Sequence, residues 1–215
     1  MTHKANIHNN IQFIKSNLIN LIYSEAQFED IHATYDQVGE LLQGNKLQAV
    51  SDDDQLVIAN LRDAWSYIIN TKPDFNLSTI KTINGFVAKD ESLEWGKLRT
   101  GSVQIGGVSY IPPIPDEKSV QRSLINVMGE GRSLLDAALE LMLYLMRSQL
   151  FWDGNKRTAI VAANAILLGK GHHLINVPLK QFDMFNRLLS QYYMDGNPNR
   201  MIDWMKMYCV VAIDN

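Results

Sequence analysis

Apolar residues recur every three or four positions at Ile7, Ile11, Ile14, Leu18 and Ile22. That stripe predicts one helix over about residues 5–24 whose apolar face needs a partner. The same spacing predicts helices over Tyr35–Leu42, Asp54–Asn70, Val120–Met128, Leu134–Leu150, Asn155–Leu168, Gln181–Tyr193 and Met201–Val211. Ser51 and the run Asp52-Asp53-Asp54 open the second of these and read as a cap matched to the helix dipole. Consecutive acids at a helix start do not converge on one point, so a metal site there is disfavoured. Between Trp95 and Pro115 the period changes. Val103, Ile105, Val108 and Tyr110 flank Gly106-Gly107, a hairpin signal, and Pro112, Pro113 and Pro115 stop any strand from continuing. The expected architecture is mainly α with one β-hairpin, arranged as an N-terminal helical extension over 1–50 packed on a core domain over 51–215.

The 215 residues suit one large domain, and 46% hydrophobic with 20% charged residues is ordinary globular usage. A net charge of -3 supplies no field that would recruit nucleic acid or an anionic membrane. Cys209 is the single cysteine, which excludes an intrachain disulfide and cysteine-held zinc. Met1–Asn10 is polar and lacks the apolar core of a secretory signal. The best apolar run, Leu134–Met146, is too short to span a bilayer and carries Asp136 and Glu140, so a cytoplasmic chain without membrane contact is expected.

The chemistry concentrates in Gln149-Leu150-Phe151-Trp152-Asp153-Gly154-Asn155-Lys156-Arg157-Thr158, a tight join between one apolar helix and another that is apolar nearly all round. Free N–H groups and the positive dipole end make the start of the second helix an anion site. Lys156 and Arg157 in its first turn oppose the dipole by roughly 0.3–1 kcal/mol each, which an anion between them would offset. Asp153 can hold a hard cation, Gly154 permits close approach, and Asn155 and Arg157 can grip phosphate oxygens. The plainer reading is that Asp153 caps the helix, Gly154 turns the chain, and the two cations face solvent.

Phe151 to Arg157 resembles the signature of Fic (Fido) domain proteins, His-Pro-Phe-x-Asp/Glu-Gly-Asn-Gly/Lys-Arg-x-x-Arg. Leu98-Arg99-Thr100-Gly101-Ser102-Val103-Gln104-Ile105-Gly106-Gly107 with Tyr110-Ile111-Pro112-Pro113 resembles the flap of that family, and Phe28-Glu29-Asp30-Ile31-His32-Ala33-Thr34 is similar to the segment bearing its inhibitory glutamate. The resemblance implies a Fic-type helical domain with a hairpin flap over the signature loop, and transfer of AMP from ATP, with Mg²⁺, to a target hydroxyl. By position it implies that Asp153 holds Mg²⁺, that Gly154, Asn155 and Lys156 cradle the phosphates, that Arg157 neutralises them, and that Phe151 anchors the loop. Val103, Gln104, Ile105, Gly106 and Gly107 would offer an edge to a protein target.

Two departures weigh against full activity. The catalytic His of the pattern falls on Gln149 and its Pro on Leu150. An amide cannot serve as the general base, a role that contributes about 10²–10⁴-fold. The second Arg falls on Ile160. His172 and His173 follow a helix whose rise of about 1.5 Å per residue puts them roughly 20 Å from the loop, and His3, His8 and His32 offer no clear substitute. Glu29 aligns with the inhibitory Glu, although Glu25 stands where Ser or Thr is expected and Asp30 where Gly or Asn is; a solvated acid at a helix end is the other reading. Three functions stay open: a nucleotide-binding pseudoenzyme with AMP transfer weakened or lost, which Gln149 and Ile160 favour; an active adenylyltransferase or related phosphate-group transferase; and a non-catalytic toxin-antitoxin-like or scaffolding protein.

Overall fold

Side-chain oxygens start five of the helices. Ser51 Oγ accepts the Asp54 N–H at 3.1 Å, Asn76 Oδ1 that of Thr79 at 2.9 Å, Asp116 Oδ2 that of Ser119 at 2.9 Å and Ser133 Oγ that of Asp136 at 3.0 Å. Thr34 and Gln37 form a reciprocal capping box. A computed structural model describes residues 2–129, 131–170 and 173–213; His172 and the side chains of His3 and Ile7 lie outside the described residues. The helices are α1 (Thr2–Ser16), α2 (Leu18–Ala26), α3 (Tyr35–Leu42), α4 (Asp52–Thr71), α5 (Leu77–Val87), α6 (Glu117–Val127), α7 (Leu134–Ser148), α8 (Asn155–Lys170), α9 (Phe182–Asp195) and α10 (Asn199–Tyr208).

The expected first helix is divided at Asn17. Its side-chain Nδ2 donates to the Phe13 carbonyl at 2.8 Å, and its own N–H is shared between Phe13 and Ile14, so a side chain competes with the helix ladder. The stripe still packs inward through Ile14, Leu21 and Ile22. α8 is the central element, packed by α1, α2, α4, α5 and α7. Ala159, Ile160, Val161, Ala162, Ala163, Leu167 and Leu168 are all buried, which is why its sequence is apolar on every side. α7 runs back against it as the other half of a helical hairpin.

The one sheet among the described residues pairs β1 (His173–Ile175) with β2 (Val210–Ala212), antiparallel, with Leu174 opposite Val211. The C-terminal helix therefore ends at Tyr208, and β-branched Val210 and Val211 leave it for the strand. At Val103–Tyr110, where the hairpin was expected, the chain does reverse. Gly107 has φ 78° and the Val108 N–H reaches the Ile105 carbonyl at 3.4 Å, but the flanking residues form no ladder. Val103, Ile105, Val108 and Tyr110 alternate with exposed neighbours, so the period-2 pattern is kept without strand pairing. No helix among the described residues is long and apolar enough to cross a membrane.

Buried Asn164 pins the sheet to α8. Its Nδ2 donates to the Ile175 carbonyl and its Oδ1 accepts the Ile175 N–H, both at 2.9 Å. Asn164→Ala leaves two buried main-chain groups unpaired and is expected to cost roughly 2–4 kcal/mol in urea unfolding. A loss below about 0.5 kcal/mol, within the range of ordinary surface substitutions, would contradict this role.

Candidate functional site

The turn from α7 to α8 needs two left-handed residues. Gln149 has φ 45° and ψ 60°, and its N–H closes α7 on the Leu145 carbonyl at 3.2 Å. Gly154 has φ 69°, and a Cβ there would lie 2.9 Å from Val87 Cγ1 and 3.2 Å from Ala88 Cβ, so the end of α5 closes over it. Asn155 ties the loop reciprocally: its Oδ1 accepts the Phe151 N–H and its Nδ2 donates to the Phe151 carbonyl, both at 2.9 Å. Buried Asn84 on α5 adds a clamp from outside, donating to the Asp153 carbonyl at 2.9 Å and to Thr158 Oγ1 at 3.1 Å while accepting the Gly96 N–H at 2.8 Å. The Thr158 N–H makes the first helical bond, to Gly154, at 2.8 Å. The N–H groups of Asn155, Lys156 and Arg157 precede it and have no intrahelical acceptor.

Arg157 has no exposed surface. Glu91 grips it bidentately, Nη1 to Oε1 at 2.9 Å and Nη2 to Oε2 at 2.7 Å, and Nη1 also donates to the Val87 carbonyl at 3.2 Å. Nε donates to Glu29 Oε1 at 2.9 Å, and Asp153 Oδ1 stands 3.7 Å from Nη2. Burial alone would lower the Arg157 pKa, but the bond to Glu91 and the charges of Glu29, Glu91 and Asp153 outweigh it, and the net direction is up. Glu29 is raised by burial and by the neighbouring Asp153 and Glu91 charges, against the pull of Arg157 and Lys156. Asn60 Nδ2 secures Glu91 Oε1 at 2.9 Å.

Of the residues singled out in the sequence, Gln149, Asp153, Gly154, Asn155, Lys156, Arg157 and Glu29 come together around this loop. Gln149 is half-buried, and its Nε2 donates to the Met146 carbonyl at 2.7 Å. Lys156 Nζ lies 5.2 Å from the Phe28 ring centre. The Val103–Gly107 segment is joined to the loop through its roots, since Gly101 lies under the Trp152 indole. Arg147 of α7 stacks on the Tyr110 ring at 3.8 Å. Asp153 is partly exposed, with Oδ1 accepting the Gly154 N–H at 2.6 Å. No three His, Cys, Asp or Glu side chains among the described residues converge as a cation site. Asp153 alone fits Mg²⁺ in the manner of sites that take one carboxylate together with phosphates and water.

Residues 74–167 match the model of the Fic/DOC family. Over that stretch the chain is similar to Fic domains. The Fic fold extends beyond that stretch: C. elegans Fic-1 (residues 134–508) superposes with a TM-score of 0.78 at 14% identity, covering 97% of this chain and 64% of that one. A Fic domain containing signaling protein from Bacteroides thetaiotaomicron gives 0.73 at 20% identity, covering 86% and 74%. A Fic family protein from Desulfovibrio desulfuricans gives 0.71 at 14%, covering 94% and 68%. Comparison with curated proteins finds no match. Around this loop the groups that sequence reasoning missed are Asn60, Asn84, Glu91 and Arg99, and Trp65 beside Glu25. Arg99 fell inside the flap pattern without a role; Glu91 lies 66 positions from its partner, and no local spacing marks it.

Glu25 shares α2 with the approach to Glu29 and is 1% exposed. Its Oε2 accepts the Trp65 indole N–H at 3.2 Å, and its Oε1 has no partner. Burial pushes its pKa from 4.5 up to about 8, against the opposing pulls of Trp65 and Arg157. The folded chain therefore holds a proton that the unfolded chain has released, so this contribution to stability is full below about 4.5 and is lost as pH rises through about 8. Glu25→Gln removes the slope. Its gain over the unmodified chain should reach on the order of 3–5 kcal/mol near pH 9 and close toward pH 5 in urea midpoints. A gap that stays constant across that range would show that Glu25 does not carry the proton.

Proposed function

We propose that this chain binds a nucleotide or another phosphate-bearing ligand, with Mg²⁺, at the start of α8, and that transfer of AMP to protein hydroxyls is weakened or lost. The observation that carries the reading is the pairing of an intact phosphate turn with an amide at position 149. The N–H groups of Asn155, Lys156 and Arg157 at the helix start have no intrahelical acceptor, and Asp153 would hold the cation. The position of the family's histidine is filled by Gln149, whose amide donates to Met146 and has no proton to exchange near neutral pH. A bound Mg²⁺ would neutralise phosphate charge; the chain's own groups would orient the phosphates and exclude water.

Glu29 closes this site. It is the more exposed of the two carboxylates bonded to Arg157, 30% against 12% for Glu91, and holds it by one bond where Glu91 holds it by two. An incoming phosphate would displace Glu29 and leave Glu91 in place. Its function would be inhibitory in that sense, by competition between two anions for one guanidinium.

Calorimetry with ATP, ADP and AMP in Mg²⁺ tests the binding reading. We expect heat for at least one of them, a gain of roughly 5–10-fold in affinity for Glu29→Gln, equivalent to about 1–1.4 kcal/mol, and a loss for Lys156→Ala. No heat at millimolar ligand in either the unmodified chain or Glu29→Gln would remove the proposal. Labelled ATP with Mg²⁺ and cell lysate tests the catalytic half. Gln149→His should gain transfer over the unmodified chain by at most about 10²–10⁴-fold, and histidine is among the residues that tolerate the left-handed backbone at this position. Equal labelling by both proteins would place the base elsewhere and restore the active-enzyme reading.

A further inference from the structure

Arg99 has almost no exposed surface, at 1%, yet it has no carboxylate in ion-pair reach among the described residues. Its partners are all main-chain carbonyls. Nε donates to Gln149 at 2.5 Å, Nη1 to Gly101, and Nη2 to Pro112 at 3.2 Å and Pro113 at 2.6 Å; its own backbone N–H reaches Leu150 at 2.9 Å. Burial draws the guanidinium pKa down, but a guanidinium keeps its charge, so a covered cation is held here by carbonyl dipoles without a carboxylate partner. Such a charge is costly to bury unless every donor is satisfied.

The acceptors come from three separate places. Gln149 and Leu150 are the two residues at which α7 gives way to the phosphate turn. Gly101 is the near root of the 101–113 segment, and Pro112 and Pro113 are its far root. Gln149 is left-handed, so its carbonyl is turned out of the α7 ladder and needs an outside donor. The planar fork of one guanidinium can reach all three directions at once, whereas an ammonium on a flexible stem cannot reproduce them.

We propose that Arg99 is a positioning residue that keys the 101–113 segment to residue 149. It fixes the 149–150 peptide plane, and with it the direction of the side chain at 149, in the same frame as the two roots of the segment. An extended hydroxyl-bearing peptide lying along 103–110 is thereby delivered at a set distance from position 149. The delivery step rests on the functional reading above; the coupling of the two segments does not.

The test is amide hydrogen exchange on the whole chain, with MgATP calorimetry and transfer kinetics alongside. In Arg99→Lys, exchange across 101–113 and across 147–151 should rise together by at least tenfold, with α4 and the body of α8 still protected. Gly101→Ala, whose Cβ would meet Trp152 Cη2 at 2.6 Å, should loosen 101–113 while 147–151 stays protected by Arg99. MgATP affinity should stay within twofold in Arg99→Lys. Added to Gln149→His, Arg99→Lys should lower kcat for AMP transfer at least tenfold with KM for ATP unchanged. Faster exchange in only one of the two segments of Arg99→Lys, or a shift in KM for ATP in place of kcat, overturns the proposal. If Arg99→Lys fails to fold, the Gly101→Ala pattern decides: loosening of both segments together removes Arg99 as their link. An unmodified chain that binds no MgATP sinks the phosphate reading, and the exchange result still judges Arg99.

Discussion

A guanidinium with no access to water has to be neutralised where it lies, and Arg157 imposes that condition on four elements at once. Glu91 answers it from beyond α5, with Asn60 of α4 holding the carboxylate in place, and Glu29 answers it from the turn after α2. Glu91 alone can balance the guanidinium, and the further bond from Glu29 ties the N-terminal helices to the signature loop by electrostatics as well as by the apolar stripe of α2. The same cluster sets the character of the site. One buried guanidinium and one ammonium face Glu29, Glu91 and Asp153, and Glu25 behind them is kept neutral by burial. As folded, the pocket is poor in free positive charge, and its unpaired attraction for anions resides mainly in three backbone N–H groups.

Rigidity of the turn comes from groups that also look suited to ligands. Both ends of the Asn155 amide are spent on Phe151, and Asn84 uses three hydrogen bonds to hold Asp153, Thr158 and Gly96 in one arrangement. A site preorganised in this way loses little entropy when an anion arrives, which favours binding even where chemistry is absent. It also explains how the loop holds its shape with an amide at position 149. Shape resides in Phe151, Gly154, Asn155 and Asn84; proton transfer would reside in position 149 alone.

Local features were legible in the sequence and distant pairings were not. The cap at Ser51, the all-round apolar α8 and the tight turn that leads into it follow from residues within a few positions of each other. Asn17 broke the first helix because one amide outcompeted the ladder, an effect the periodicity of Ile14, Leu18 and Ile22 conceals. The Gly106-Gly107 reversal was legible, but whether its flanks pair depends on where their carbonyls go, and those of Gly101, Pro112 and Pro113 go to Arg99. Glu91 and Arg99 are ordinary charged residues in sequence; only the fold shows that each is buried against a partner about 50 or more positions away.

Position 160 brings these threads to one consequence. Ile160 lies one helical turn beyond Arg157, wholly buried among the residues that surround α8. A cation there would need its own carboxylate, and Glu29 is already committed to Arg157. With an apolar side chain at 160, the core closes over α8 without a second charge, and Glu29 has a single guanidinium to address. On the proposed reading, Glu29 and a ligand would then compete for one group, a simpler balance than two arginines would set. Fewer cations would also weaken the hold on a highly charged ligand, so on the proposed reading binding would be carried by the geometry of the helix start.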